Sequence, residues 1–174
     1  MKSLVSLKQV LEFSSEDLRK KWCKQLLFKI HILHTKFESA QCNVCFGNLK
    51  VDNNENLVLV NVSEKSNGKE LISDVQFDAP ELFNCKQKSK ASDIWATGIC
   101  IYYINCLKFP WETAVKSDLK FSLWAIEGIF PCSVNNTYSR IVKQMLCVDP
   151  QMRPSIKHLV QKTIDDKVDS NTFG

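Results

Sequence analysis

The motifs that decide the fold are Ala79-Pro80-Glu81, Ser92-Asp93-Ile94-Trp95-Ala96-Thr97-Gly98, Phe109-Pro110-Trp111-Glu112 and Asp149-Pro150-Gln151-Met152-Arg153-Pro154-Ser155. Each is short enough to occur by chance. Their joint occurrence, in this order and at these spacings, is far more specific than any one of them. The prolines within and between them mark turns between apolar segments.

Outward from these motifs, the chain is mainly helix-forming. Apolar residues recur every three or four positions from residue 16 to about residue 34, after Ser14 and Ser15, which favour a helix start. Further helices are predicted at residues 4–13, 92–107, 118–127, 136–147 and 155–164. Two short strands, 49–51 and 57–60, are joined by turn-forming residues and predict a β-hairpin. The fold class expected is mainly α, within an α+β family, with a small β-hairpin.

Composition and charge exclude several classes of protein. The 174 residues are 44% hydrophobic and 24% charged, which fits one globular domain. The net charge of +4 is scattered, so we expect no nucleic-acid interface. No apolar run is long enough to predict a membrane span. Several of the eight cysteines occupy apolar positions, which favours reduced thiols and a cytoplasmic or nuclear location.

Together, the four motifs resemble the second half of the C-terminal lobe of serine/threonine protein kinases, and the resemblance covers residues 4–164. It implies a protein kinase-like C-lobe over residues 1–164, followed by a polar tail at 165–174. It also implies a structural motif in which Glu81 forms a buried ion pair with Arg153. Asp93 would anchor the backbone of the catalytic loop, and Gly98 would allow close packing on the central helix.

A narrower resemblance concerns the loop and helix that follow the central helix. Phe109-Pro110-Trp111-Glu112-Thr113-Ala114, with Trp124 and Gly128, is similar to the corresponding region of the SH3-domain-binding serine/threonine kinases and of checkpoint-type kinases. The aromatic residues there have two interpretations, core packing or a docking face for partners. The sequence leaves both open.

The catalytic positions that the resemblance implies carry amides in place of acids. Asn48-Leu49-Lys50-Val51-Asp52 matches the asparagine and strand of the catalytic loop, which makes Asn48 a residual magnesium-type position. Asn43 stands where the catalytic aspartate belongs, after Gln41-Cys42 in place of His-Arg. Asn61-Val62-Ser63 stands where Asp-Phe-Gly belongs. An amide accepts no proton and is a poorer magnesium ligand than a carboxylate, so no catalytic residue is intact.

The nucleotide-binding lobe leaves no trace in the sequence. We find no Gly-rich loop, no strand lysine and no helix bearing its glutamate partner, so the expectation is a C-lobe with the N-lobe absent. No cofactor is expected, and ATP with magnesium enters only if the chain is active. The pair Cys42 and Cys45 is interpreted as loop thiols with no metal, because no second pair follows at ligand spacing. For His34 we predict a packed structural role.

Three hypotheses for function remain. The first is a catalytically inactive pseudokinase that binds protein in kinase signalling, with an active kinase or its substrate as the partner. Residues 61–81 and 109–130 are its candidate surfaces. The alternative is an ATP-dependent serine/threonine protein kinase with an atypical site, in which Glu55 or Glu64 replaces the missing acid, or a fragment of such a kinase. The third is a decaying gene product that folds poorly.

Overall fold

The computed structural model describes residues 4–37, 43–61, 75–83, 88–131 and 137–170; for residues 137 and 165–170 it describes the backbone alone. The fold is mainly helical, with one small sheet, as the sequence predicts. The elements in chain order are β1 (Val5–Ser6), α1 (Leu7–Leu11), α2 (Glu16–Lys36), β2 (Leu49–Val51), β3 (Leu57–Leu59), α3 (Lys90–Cys106), α4 (Leu119–Glu127), α5 (Thr137–Met145) and α6 (Ile156–Ser170). Short 3₁₀ turns cover Phe46–Asn48, Val75–Phe77, Pro80–Phe83 and Pro150–Met152.

The central element is α3, which is buried along most of its length because its sequence is apolar on nearly all faces. A capping box begins it: Ser89 Oγ accepts from the Ser92 backbone N–H, and Ser92 Oγ accepts from the Ser89 N–H. It packs against α2 on one side and α5 on the other. A Cβ on Gly98 would lie 3.0 Å from the Met145 Cβ, so glycine is what lets α3 and α5 approach this closely.

Helix α2 joins the helical core to the hairpin. Ser15 begins it, since its side chain accepts from the Leu18 N–H as the sequence predicts. The Trp22 indole donates to the Glu55 carbonyl at 3.0 Å. Gln25 accepts from the Leu57 N–H at 2.7 Å. These contacts fix the hairpin turn against α2, which sets the position of both strands.

The sheet has one strand more than the sequence predicts, in the order β1-β2-β3, with both pairs antiparallel. The helix predicted at residues 4–13 is wrong at its start. Val5 pairs with Val51 and Ser6 with Lys50, and the helix is confined to Leu7–Leu11. The reason is tertiary: the free edge of β2 offers backbone partners that two residues at a helix end would lack. At the other end of the chain, α6 continues to Ser170, past its predicted end at 164.

None of the helices in the described ranges has the length and apolar character needed to cross a lipid bilayer.

Candidate functional site

Glu81 and Arg153 form a bidentate ion pair that joins the 3₁₀ turn Pro80–Phe83 to the end of the 3₁₀ turn Pro150–Met152. Both guanidinium Nη atoms donate to the Glu81 carboxylate at 2.7 Å. The Arg153 side chain is fully buried, whereas that of Glu81 is 23% exposed. The remaining guanidinium donors bond three backbone carbonyls, those of Cys147, Ala91 and Val148. The structure thus contains the ion pair that the kinase resemblance implies, and every N–H donor of the Arg153 guanidinium makes a hydrogen bond.

Asp93, in the first turn of α3, contacts the end of α2. Its Oδ2 lies 3.0 Å from His34 Nε2, and both side chains are almost completely buried. Lys90 reinforces the junction, because its ammonium donates to the His34 carbonyl at 2.8 Å. His34 therefore occupies the packed position predicted for it. Asp93 takes part in further contacts. Its implied anchoring of the catalytic-loop backbone stays a prediction, because Gln41 and Cys42 of that loop lie outside the described residues.

The three asparagines at the implied catalytic positions meet in one cluster. Asn48 Nδ2 donates to the Asn43 carbonyl at 2.9 Å, and Asn61 Nδ2 donates to Asn48 Oδ1 at 2.9 Å. The Asn48 carbonyl also accepts from the Val60 N–H. Asn48 is buried, so these bonds satisfy groups that water reaches poorly. Flipping its amide would break both side-chain bonds, which fixes its orientation.

Backbone conformation explains why short polar residues stand at two of these positions. Asn43 has φ 43° and Asn61 has φ 55°, both in the left-handed region. Among residues with a side chain, asparagine and aspartate adopt this region most readily. A change from aspartate to asparagine therefore keeps the backbone path, removes the charge and replaces one acceptor oxygen by an N–H donor.

A magnesium ion does not fit the residues present. Its preferred protein ligands are carboxylates, and positions 43, 48 and 61 supply neutral amides. The one amide oxygen that the resemblance assigns to a cation, Asn48 Oδ1, already accepts a hydrogen bond from Asn61. We therefore derive no step of phosphoryl transfer through a metal.

Of the two proposed substitutes for the missing acid, Glu55 is described by the structure, and it is not brought to the cluster. Glu55 lies in the turn between β2 and β3, at the opposite end of the hairpin from Asn61, so it cannot replace the acid there. Glu64 lies outside the described residues, as do Gln41, Cys42, Val62 and Ser63.

Sequence reasoning missed a small cavity beside Asn43. Its volume is about 20 Å³, and Asp78, Lys88 and Asp93 contribute to its lining. That space suits about one water molecule. Asp78 directly precedes the Ala79-Pro80-Glu81 motif, and this adjacency was the available signal.

The aromatic residues of the 109–130 region belong to the core. Trp111 and Phe121 are buried and pack against Trp95, with ring centroids 5.6 Å and 6.3 Å from the Trp95 ring. The Trp124 indole donates to the Leu146 carbonyl at 2.7 Å. Of the two interpretations that the sequence left open, the structure supports core packing for these rings.

Aliphatic residues, together with Phe83 and Phe121, form an apolar groove beside this core. Its volume is about 730 Å³, and it lies between the 3₁₀ turn Pro80–Phe83, α4 and the loop before α4. Ile126 is 73% exposed and Phe83 45% exposed. We call this surface, defined by Pro80, Phe83, Val115, Phe121, Ala125, Ile126 and Val148, the α4 groove.

Asp118 holds the wall of the α4 groove in place. One carboxylate oxygen accepts from the Lys120 and Phe121 N–H groups at the start of α4, and the other from the Glu112 and Thr113 N–H groups in the preceding loop. Burial by itself would raise the pKa of Asp118. The four backbone donors outweigh that effect and hold the pKa below its ordinary value.

The comparisons with known proteins agree with this geometry. The family model of the protein kinase domain matches residues 1–164, so the chain belongs to the protein kinase domain family. The chain is 26% identical over 142 residues to "Serine/threonine-protein kinase Nek4" of Mus musculus, which covers 79% of the chain and 18% of that protein. It is 24% identical over 162 residues to "Serine/threonine-protein kinase Wnk" of Drosophila melanogaster, covering 85% and 6%.

A third relative is "Putative serine/threonine-protein kinase A" of Trypanosoma brucei brucei, 32% identical over 84 residues, or 48% of the chain and 20% of that protein. The chain thus spans a fifth or less of the length of these three curated relatives.

Proposed function

We propose that this chain is a catalytically inactive, protein kinase-like module that binds a partner protein in kinase signalling, in the cytoplasm or nucleus. The observation that carries the proposal is the hydrogen bond between the amides of Asn48 and Asn61. The Asn61 amide makes this bond at a position where the family resemblance implies a carboxylate that binds a metal. Within the family, the likeness to SH3-domain-binding kinases stays a prediction.

Phosphoryl transfer depends on positioning and on charge stabilisation, which amides supply poorly. A general base contributes about 10²–10⁴ in rate, and Asn43 accepts no proton. Asn61 brings an N–H donor to Asn48, where the resemblance implies a negative charge. The missing general base at position 43 and the missing carboxylate at position 61 both slow phosphoryl transfer, so we expect no measurable transfer by this chain.

The α4 groove is the surface that we propose for the partner, an active kinase or its substrate. Large apolar side chains left in solvent are typical of protein contact surfaces. Lys116 lies in the lining, and Glu81 there is already paired with Arg153, so among the described lining residues the charge left for a partner is positive. We therefore propose an amphipathic helix with acidic flanking residues as the occupant.

Catalytic inactivity is tested with the variant Asn61→Asp. The new carboxylate and Asn48 Oδ1 are both hydrogen-bond acceptors, so the bond between positions 61 and 48 is lost, and the variant should lose about 1–2 kcal/mol of stability. Magnesium should restore part of that loss in the variant and leave the wild type unchanged, as measured by thermal melting with and without MgCl₂ and ATP. A saturable, magnesium-dependent stabilisation of the wild type by micromolar ATP would overturn the proposal.

The binding role is tested with Ile126→Glu, which places a charge in the α4 groove at an exposed position and should leave the fold intact. Ile32→Glu is the matched control, because Ile32 is a 61% exposed residue on α2. In cross-linking and quantitative mass spectrometry, a true partner is retained by the wild type and by Ile32→Glu and lost from Ile126→Glu. Identical protein sets for all three would contradict the assignment of the groove.

A second candidate function is protein phosphorylation, as a serine/threonine kinase with an atypical site or as part of one. The relatives all carry serine/threonine kinase names and are far longer than this chain. The Glu81–Arg153 ion pair is also present. A phosphorylation assay with Asn48→Ala as the control distinguishes the candidates. Phosphate incorporation that disappears in Asn48→Ala supports the kinase, and none in either chain supports the binding module.

A further inference from the structure

A second cavity lies away from both the asparagine cluster and the α4 groove. It opens between the end of α2, the start of α3 and the start of α6, and its volume is about 380 Å³. We call it the α2–α6 cavity. Its lining includes His31, His34, Lys90, Arg153, Ile156 and Lys157.

Among the residues that the structure describes, the lining is basic and includes no aspartate or glutamate. Five of the eleven described lining residues are histidine, lysine or arginine. Two of the five are already paired, Arg153 with Glu81 and His34 with Asp93. The positive charge that remains available comes from the two lysines, Lys90 and Lys157, one on each of two helices that meet at the cavity.

We propose that the α2–α6 cavity binds a phosphate-type oxyanion, either as free phosphate or as the phosphoryl group of a phosphorylated side chain. This proposal is independent of the proposed function, since it uses none of the asparagines and none of the α4 groove.

Donors from three helices converge on the cavity. The Lys90 ammonium has three N–H donors and gives one to the His34 carbonyl, which leaves two. Lys157 is exposed and belongs to the lining, and His31 adds an imidazole from α2. The first backbone N–H groups of α6, at Ile156 and Lys157, have no carbonyl within the helix to bond to. These amides add to a site that the side chains of separate helices define.

The paired residues shape the ligand preference. Arg153 bonds the Glu81 carboxylate and His34 contacts Asp93, so neither side chain is available to a ligand, and Lys90 and Lys157 supply the available positive charge. Two lysines on separate helices suit a multiply charged oxyanion better than a singly charged one. The volume lies in the range of small-ligand sites, which is more than a monovalent ion requires.

The test is a titration of the full chain with sodium phosphate, followed by backbone amide NMR, with sodium chloride at equal ionic strength as the reference. We expect saturable shifts at Lys90, Ile156 and Lys157 with phosphate only. Lys157→Gln should weaken phosphate binding about fivefold, the upper range for an exposed charge contact. Lys162→Gln is the matched control on the same helix, since Lys162 bonds Gln144 outside the cavity, and it should bind as the wild type does.

The two sources of the oxyanion are separated by a second titration with an N-acetylated phosphoserine amide. Tighter binding of this probe than of inorganic phosphate indicates a phosphorylated protein segment, and equal or weaker binding indicates free phosphate. The proposal is overturned if phosphate and chloride give the same shifts, if the shifts lie elsewhere, or if Lys157→Gln and Lys162→Gln weaken binding equally.

Discussion

Removing the Glu81 carboxylate should be among the most damaging single changes at an incompletely buried position of this chain. In Glu81→Ala, the Arg153 guanidinium keeps its three carbonyl partners but loses the carboxylate that balances its charge. Stranding one charge of a buried pair costs about 3–5 kcal/mol. Because the Glu81 side chain is 23% exposed, water reaches the gap, and we expect a loss near the lower limit, about 3 kcal/mol.

Removing the arginine should cost at least as much for a different reason. Arg153→Met leaves three backbone carbonyls without their donor and removes the guanidinium that stacks 4.9 Å from the centre of the Trp95 ring. The double variant strands no charge, so its loss should be smaller than the sum of the two single losses. We expect a coupling free energy of about 2 kcal/mol.

Urea unfolding of the wild type, both single variants and the double variant measures these quantities. Glu16→Gln is the control, since it breaks the exposed Glu16–Lys20 pair on α2 and should change the free energy of unfolding only slightly. A loss below about 1 kcal/mol for Glu81→Ala, or strictly additive single losses, would show that the pair is not the structural clamp inferred from its geometry.

Three further outcomes are expected. Gly98→Ala should lower the free energy of unfolding by about 1 kcal/mol, because the overpacking of α3 against Met145 outweighs the gain in helix propensity. Urea unfolding measures this change, and a stabilised variant would contradict the close contact between α3 and α5. Asp118→Asn should be less stable than the wild type at pH 7. Because the pKa of Asp118 is lowered in the folded chain, its carboxylate stabilises the fold above about pH 4, and this stabilisation is lost as the pH falls through the folded-state pKa. A difference in stability between the wild type and Asp118→Asn that persists at low pH would contradict this reasoning. Burial raises the pKa of Cys23 to about 12, so iodoacetamide should leave Cys23 unmodified at pH 8 until urea unfolds the chain, as mass spectrometry of its peptide would show.

Local patterns in the sequence predicted the helices well. The apolar spacing and the Ser15 cap placed α2 correctly, and the turn formers between residues 49 and 60 placed the hairpin. These features depend on residues a few positions apart, so the sequence displays them directly. Local patterns failed at the start of the chain, because Val5 and Ser6 have a helical pattern locally but pair with a strand 44 or more residues away.

For the candidate site, the sequence predicted which residues matter, whereas their hydrogen-bond partners could be read only from the structure. Amides at positions 43 and 61 are visible in the sequence, and the motif resemblance pointed to Glu81, Asp93 and Arg153 together. The sequence did not show that Asn61 turns its donor towards Asn48, since that depends on the left-handed backbone at Asn61 and on the register of the hairpin. The partner of His34 was also hidden, because Asp93 lies 59 residues further along the chain.

By itself, the sequence determined the class of fold, the order of the helices and the presence of amides at positions 43, 48 and 61, because residue type and short-range spacing carry that information. Only the tertiary structure decided which surfaces the chain presents. The α4 groove, the α2–α6 cavity and the burial of Trp111 and Phe121 each arise where elements distant in sequence pack together. Such surfaces depend on how helices and turns approach one another, and no short stretch of sequence specifies that approach.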